Sequence, residues 1–307
     1  DAFSDRTDVV FASHHWPTWG RERAVAFLSA QRDMYAYLHD QTLRLMNQGY
    51  VGSEIAEMIE MPPALAAQWH THGYYGSVSH NVKAIYQRYM GWYDANPAHL
   101  WPHPPADAAA RYVAAMGGAD AAVAEAQRAF DEGDHRWAAE VLNPVLFADE
   151  THAAARTLQA DTLEQIGFGA ENGTWRNAFL SGAHELRHGQ FGTPTSSSAV
   201  DVVGALSVEQ LFGSVGTRID GPRAWAEHLV MSWVITDEGF TQVTELRNGV
   251  LIQRRATSPV PGSTTFTLTR PTLIGLVTGT LDMAEALADG TVVCDGDAGV
   301  LGRLVSL

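Results

Sequence analysis

DAAVAEAQRAFDEGDHRWAAEVLNPVLFADETHAAARTLQADTLEQI, residues 120–166, decides how the N-terminal part of the chain folds. Alanine, leucine and valine recur at helical spacing in runs over 120–130, 136–147 and 150–166. The turns between them, Glu132-Gly133-Asp134 and Ala148-Asp149, are short enough to force antiparallel neighbours. The same pattern extends over 107–187, with a closing helix at 175–187. Small residues at the crossings let the helix backbones approach closely.

Two-helix units of this kind are similar to tetratricopeptide-type packing, although no strict period repeats. Such arrays usually supply packing or contact surface. Toward the N-terminus, further helices are expected at 21–46, ended by Gly49, at 53–59 with Ser53 as cap, and after Pro62-Pro63. A helix over 81–93 puts Val82, Ile85, Tyr86 and Tyr89 on one face. The segment 96–105 holds four prolines and marks a boundary. Val9-Val10-Phe11-Ala12 reads as a buried strand stopped at Pro17, with partners expected upstream of Asp1.

Beyond the polar linker GQFGTPTSSS at 189–198 the period changes from helix to strand. Segments 229–236, 240–247, 250–256 and 264–269 alternate or are β-branched, and Asn248-Gly249 marks a hairpin. Helices at 271–278 and 281–287 and a strand near 292–294 follow. The fold class is therefore mainly α-helical, with a separate C-terminal α+β domain whose curved sheet is covered on one face.

The chain has 307 residues and is 46% hydrophobic and 18% charged, which suits a globular protein of about two domains. No apolar run approaches the roughly 20 residues of a transmembrane segment. A formal charge of −15 disfavours nucleic acid as a partner. Cys294 is the single cysteine, which excludes a disulfide framework and a multi-cysteine zinc site. Asp1 to Asp8 has no signal-peptide pattern and no initiator Met, so the chain is expected to begin inside a longer molecule.

Thirteen histidines direct attention to metal and proton chemistry. His14 and His15 follow a strand directly, where a side chain is held in a fixed direction. Each is open to a ligand role or a structural hydrogen bond. His70-Thr71-His72 is an H-x-H element without the following carboxylate and third histidine of a dinuclear site, so it reads as structural. Gly73 to Asn81 is a glycine-bracketed aromatic loop whose tyrosines can donate to an anionic oxygen. Ser79 or Asn81 could equally cap the next helix.

FASHHWPTWG (11–20), QRDMYAYLHDQTLRLMNQGY (31–50) and HGYYGSVSHNVKAIYQRYMGWYDANPAHL (72–100) closely resemble the alkyl sulfatases of the metallo-β-lactamase superfamily, also called SDS hydrolases or type III sulfatases. The resemblance implies three parts. Residues 1–25 are the end of an αββα metallo-β-lactamase catalytic domain. Residues 26–190 are a tetratricopeptide-like helical dimerisation domain. Residues 199–307 are a domain like sterol carrier protein 2. It implies hydrolysis of an alkyl sulfate by a pair of zinc ions, mostly bound by residues of an N-terminal metallo-β-lactamase domain outside this chain, whose H-x-H-x-D-H segment is not present here. His14 is then the expected last zinc ligand, with His15 as the alternative. No catalytic group beyond these is expected from this chain.

Tyr75 and Tyr86 are the expected contacts to the sulfate group, with a packing role equally open for Tyr86. The implied partners are a homodimer mate and the alkyl sulfate substrate. Family members of this kind favour a periplasmic or secreted location over the cytoplasm. In the C-terminal domain, Leu229, Met231, Trp233, Val243, Leu246, Leu251, Phe266, Leu268, Leu273, Leu276 and Val277 are expected to line a tunnel for the alkyl tail. The competing possibility is a non-catalytic dimerisation and lipid-binding module.

Overall fold

A computed structural model describes residues 3–14, 16–192 and 200–307, which divide into two units, Asp1–Phe191 and Gly192–Leu307. His15 and the linker stretch 193–199 lie outside the described residues.

The first unit opens with a small hairpin. Strand β1 (Val9–Val10) pairs antiparallel with β2 (Thr18–Trp19), in the register Val9↔Trp19 and Val10↔Thr18. This corrects the expected four-residue buried strand. Phe11 is 75% exposed, and the observed partner lies downstream in sequence. Pro17 sits in the connecting loop, where its missing N–H costs no ladder bond.

Helix α1 (Arg21–Met46) has the expected bounds and buries Ala24, Met34, Leu38 and Leu45. Gly49, at φ +93°, turns the chain out of it while its N–H donates to the Met46 carbonyl at 3.0 Å. Helix α2 (Gly52–Met58) begins one residue before the expected Ser53 cap, and Glu54 accepts the Val51 N–H at 2.9 Å instead. The short α3 (Pro63–Ala66) carries proline at its first position. Helix α4 (Val78–Met90) also begins early, because Ser77 and not Ser79 or Asn81 caps it; Ser77 Oγ accepts the His80 N–H at 3.1 Å. Val82 and Tyr86 of α4 meet Leu38 and Ile55 in one core.

Past a 3₁₀ turn at Pro97–His99 come α5 (Pro105–Ala115), α6 (Ala119–Asp131), α7 (His135–Ala148), α8 (Ala153–Gly169) and α9 (Gly173–His188). Helix α6 packs on α7, and α8 on α9. Ala122, Ala126, Ala129, Ala138 and Ala155 surround Val141, Leu142 and Leu158 in the core. Small side chains at the crossings are what permit this spacing. Asp134, His152 and Asn172 cap α7, α8 and α9 through their side chains.

The second unit is α+β. Helices α10 (Val200–Gly204), α11 (Val208–Gly216) and α12 (Gly221–Ala224) precede the sheet. Its strands are β3 (His228–Ile235), β4 (Phe240–Arg247), β5 (Val250–Ala256), β6 (Thr264–Leu268) and β7 (Val293–Asp295), in spatial order β5-β4-β3-β6-β7. Only the β3–β6 pair among them is parallel. Helices α13 (Arg270–Thr278), α14 (Met283–Ala288) and α15 (Gly299–Val305) complete the unit. Leu229, Met231, Trp233 and Ile235 alternate along β3 and join Leu246, Phe266 and Leu268 on the buried face. Val243 pairs with Ser232 and so lies on the opposite face from Trp233, outside the group expected to share it.

Candidate active site

The loop between the 3₁₀ turn Trp69–Thr71 and α4 is tied down by α9. The Gly173 N–H donates to the Tyr74 carbonyl at 2.8 Å. Thr174 Oγ1 donates to the Tyr75 carbonyl at 3.1 Å, and the Asn172 side-chain amide donates to the same oxygen. Asn172 does this while its Oδ1 caps α9, accepting the Trp175 N–H at 2.7 Å. The backbone of Tyr74 and Tyr75 is therefore fixed, and the Tyr75 ring is 60% exposed.

The His14 ring stacks on Tyr75, with centroids 4.4 Å apart and planes 22° from parallel. His14, Trp16, Trp69, Tyr74 and Tyr75 line one open depression of about 460 Å³. No hydrogen bond or ion pair among the described residues engages the His14 ring nitrogens. The depression thus combines aromatic walls, phenol hydroxyls able to donate to an anionic oxygen, and an imidazole able to bind a metal or carry a proton.

The other histidines of this region are engaged elsewhere. His70 is buried against Phe27, with ring centroids 4.3 Å apart, and its Nδ1 faces the Gln31 amide at 3.2 Å. His72 pairs through Nδ1 with Glu171 at 3.1 Å and through Nε2 with the Ala66 carbonyl at 3.0 Å. Two acceptors around one ring hold the His72 imidazole above its ordinary pKa range, the Glu171 hydrogen bond contributing most. Among the described residues no three His, Cys, Asp or Glu side chains converge as a metal site. The described donors do not by themselves make up a whole metal centre.

Tyr86 lines a different depression, of about 410 Å³, together with Ser53, Lys83, Trp92 and Asp94. Its ring is 8% exposed, and burial, then the nearby Asp94 charge, pushes its hydroxyl pKa up. The hydroxyl stays protonated and can donate, but His14 and Tyr75 are not in its depression.

A third cavity, of about 590 Å³, lies inside the second unit. Of the residues expected to line it, Trp233, Leu273, Leu276 and Val277 do so. Leu229, Met231, Leu246, Phe266 and Leu268 instead fill solid core, and Leu251 packs against that core. Phe212, Leu301 and Leu304, from helices α11 and α15, are walls that strand and helix periodicity did not foresee.

Residues 51–189 match the alkyl sulfatase dimerisation family, and residues 196–307 match the alkyl sulfatase C-terminal family. A linear primary-alkylsulfatase of Pseudomonas sp. is 44% identical over 99% of this chain and 45% of its own length. An alkyl/aryl-sulfatase of Saccharomyces cerevisiae is 43% identical over 100% of this chain and 47% of its own. The solved structure of a stereoselective inverting sec-alkylsulfatase from Pseudomonas sp. superposes with a TM-score of 0.95 at 42% identity, covering 100% of this chain and 48% of that one. The chain spans about half the length of these relatives. It belongs to the alkyl sulfatase family and carries that family's dimerisation and C-terminal domains.

Proposed function

We propose that this chain is the C-terminal part of a zinc-dependent alkyl sulfatase, which adds water across an alkyl sulfate ester to give an alcohol and inorganic sulfate. Residues 1–25 are assigned to the end of a metallo-β-lactamase domain that brings most of the zinc ligands. When bound, a pair of zinc ions polarises water and offsets charge on sulfate oxygens. His14 is assigned as one ligand, with His15 as the alternative. Tyr75 is assigned as a hydroxyl donor to a sulfate oxygen, and Tyr86, which is buried in the core and lines a separate depression, is assigned the packing role. Residues 26–190 form the homodimer surface, and residues 199–307, with the fold of sterol carrier protein 2, take the alkyl tail.

The observation that carries this proposal is the stacking of His14 on Tyr75 in one aromatic depression. It joins the N-terminal hairpin segment to the loop fixed by α9. A metal ligand held against a hydroxyl donor is what binding a sulfate beside a metal requires. The second possibility, a non-catalytic dimerisation and lipid-binding module, is favoured by the lack of three converging metal donors among the described residues. For the same reason the 307 residues alone are expected to be inactive.

Incubating the whole protein with dodecyl sulfate and measuring both products tests the assignment. Equal amounts of inorganic sulfate and dodecanol are expected, with neither released by the isolated chain. Absence of hydrolysis by the whole protein would leave only the module. Hydrolysis by the isolated chain, with two zinc ions bound, would contradict the division of the site.

A further inference from the structure

Helices α5 and α7, with Gln159 of α8, line a further open cavity of about 800 Å³ that takes no part in the assigned site. Tyr112, Trp137 and Phe147 stand in its wall, and all three rings are exposed. The Trp137 indole is held in place by its N–H, which donates to Glu125 Oε1 at 3.0 Å. No lysine, arginine or histidine lines the cavity.

Its polar groups are short of donors instead. Gln159 is 7% exposed, and its Nε2 donates to the Ala139 carbonyl at 3.4 Å. Its Oε1 is buried and has no hydrogen-bond partner among the described residues. A buried acceptor left in this way is costly, and an N–H from an occupant relieves it. Pro144, inside α7, has no N–H to give the Glu140 carbonyl four residues before it. The Glu140 carboxylate is exposed and enters none of the ion pairs formed among the described residues.

A carboxylate and unpaired acceptors beside aromatic rings suit a cation that carries N–H donors. A quaternary ammonium stacks on such rings but has nothing to give Gln159. A guanidinium does both, with five donors in one plane. The net charge of −15 likewise favours a basic partner. The cavity is larger than one side chain fills, and paired-helix arrays present grooves of this kind to extended segments.

We propose that this groove docks an arginine-bearing extended segment of a partner protein, its guanidinium against the aromatic rings and within reach of Gln159 Oε1 and Glu140. Trp92 and Trp101 lie outside the cavity, so a homodimer contact through them leaves the groove open.

Fluorescence anisotropy with the whole protein tests this, using a labelled acetyl-Ala-Leu-Arg-Leu-Ala-amide peptide and its citrulline and glutamate counterparts. The arginine peptide is expected to bind about fivefold tighter than the citrulline one, which keeps the donors and lacks the charge. The glutamate peptide should bind least well. Gln159→Leu removes the buried acceptor and should weaken the arginine peptide about tenfold. Glu140→Gln, at an exposed position that leaves the fold intact, should erase the preference for arginine over citrulline. No binding, equal affinity for the three peptides, or a preference that survives Glu140→Gln would overturn the proposal. So would a change of association state in Glu140→Arg protein, which would place a second copy of the chain in the groove.

Discussion

His72 shows what one residue number cannot reveal. Its spacing to His70 suggests a metal pair, yet the partners that settle both rings, Gln31 and Glu171, lie 39 and 99 residues away. The absent third ligand was legible from the motif; the engaging side chains were not, because tertiary folding brings them. His14 and Tyr75, 61 positions apart in sequence, are likewise joined only by the fold. The raised pKa of His72 has a definite pH consequence. A histidine whose folded pKa lies above its unfolded value of about 6.5 stabilises the fold fully below that value. The contribution is lost as pH rises through the higher folded pKa. Proton NMR titration should therefore find His72 titrating above 6.5, and Glu171→Gln should bring it down. A midpoint at or below 6.5 in the unaltered chain would show that the Glu171 bond is not formed.

At the scale of elements, long periodic segments were read to the residue where a strong stop follows them. α1 ends before Gly49, and β4 and β5 flank the Asn248-Gly249 turn with the expected bounds. The boundaries of α2 and α4 moved because the side chains that cap them, Glu54 and Ser77, stand beside more obvious candidates. Helix α11 carries a local signal in its own sequence. Ser207 Oγ accepts the Gln210 N–H at 3.2 Å while Gln210 Oε1 accepts the Ser207 N–H at 2.8 Å, a reciprocal capping box. Phe212 of this helix forms part of the cavity wall.

The hairpin turn supplies a stability test. Asn248 and Gly249 sit at φ +55° and +78°, as a two-residue turn between twisted strands demands. A Cβ on Gly249 would also meet the Gly221 carbonyl oxygen at 2.8 Å and Trp225 at 2.9 Å. Gly249→Ala should therefore destabilise the second unit by about 1–3 kcal/mol. Urea unfolding checks this as a lower midpoint with unchanged slope, and an unmoved midpoint would contradict the turn geometry.

For the whole molecule, composition and periodicity were enough to separate a helical part from an α+β part, since the change of period near 200 is a local property. What the surfaces are for was less legible. Trp92 is 73% and Trp101 96% exposed, while Trp69 and Trp137 are nearly half exposed. Exposed apolar area on this scale marks contact surface, and a two-fold dimer is its commonest use. Sedimentation equilibrium of the whole protein at micromolar concentration should give twice the mass of the whole polypeptide; a monomer would sink the dimer proposal.

The His14 depression is proposed as one corner of a zinc-dependent sulfatase site. It is tested most directly by measuring bound zinc and dodecyl sulfate hydrolysis together in the whole protein carrying His14→Ala, with His15→Ala alongside. Loss of bound zinc and a fall in turnover of at least about 100-fold are expected for His14→Ala, with a smaller effect for His15→Ala. Two zinc ions and unchanged turnover in both variants would contradict the claim.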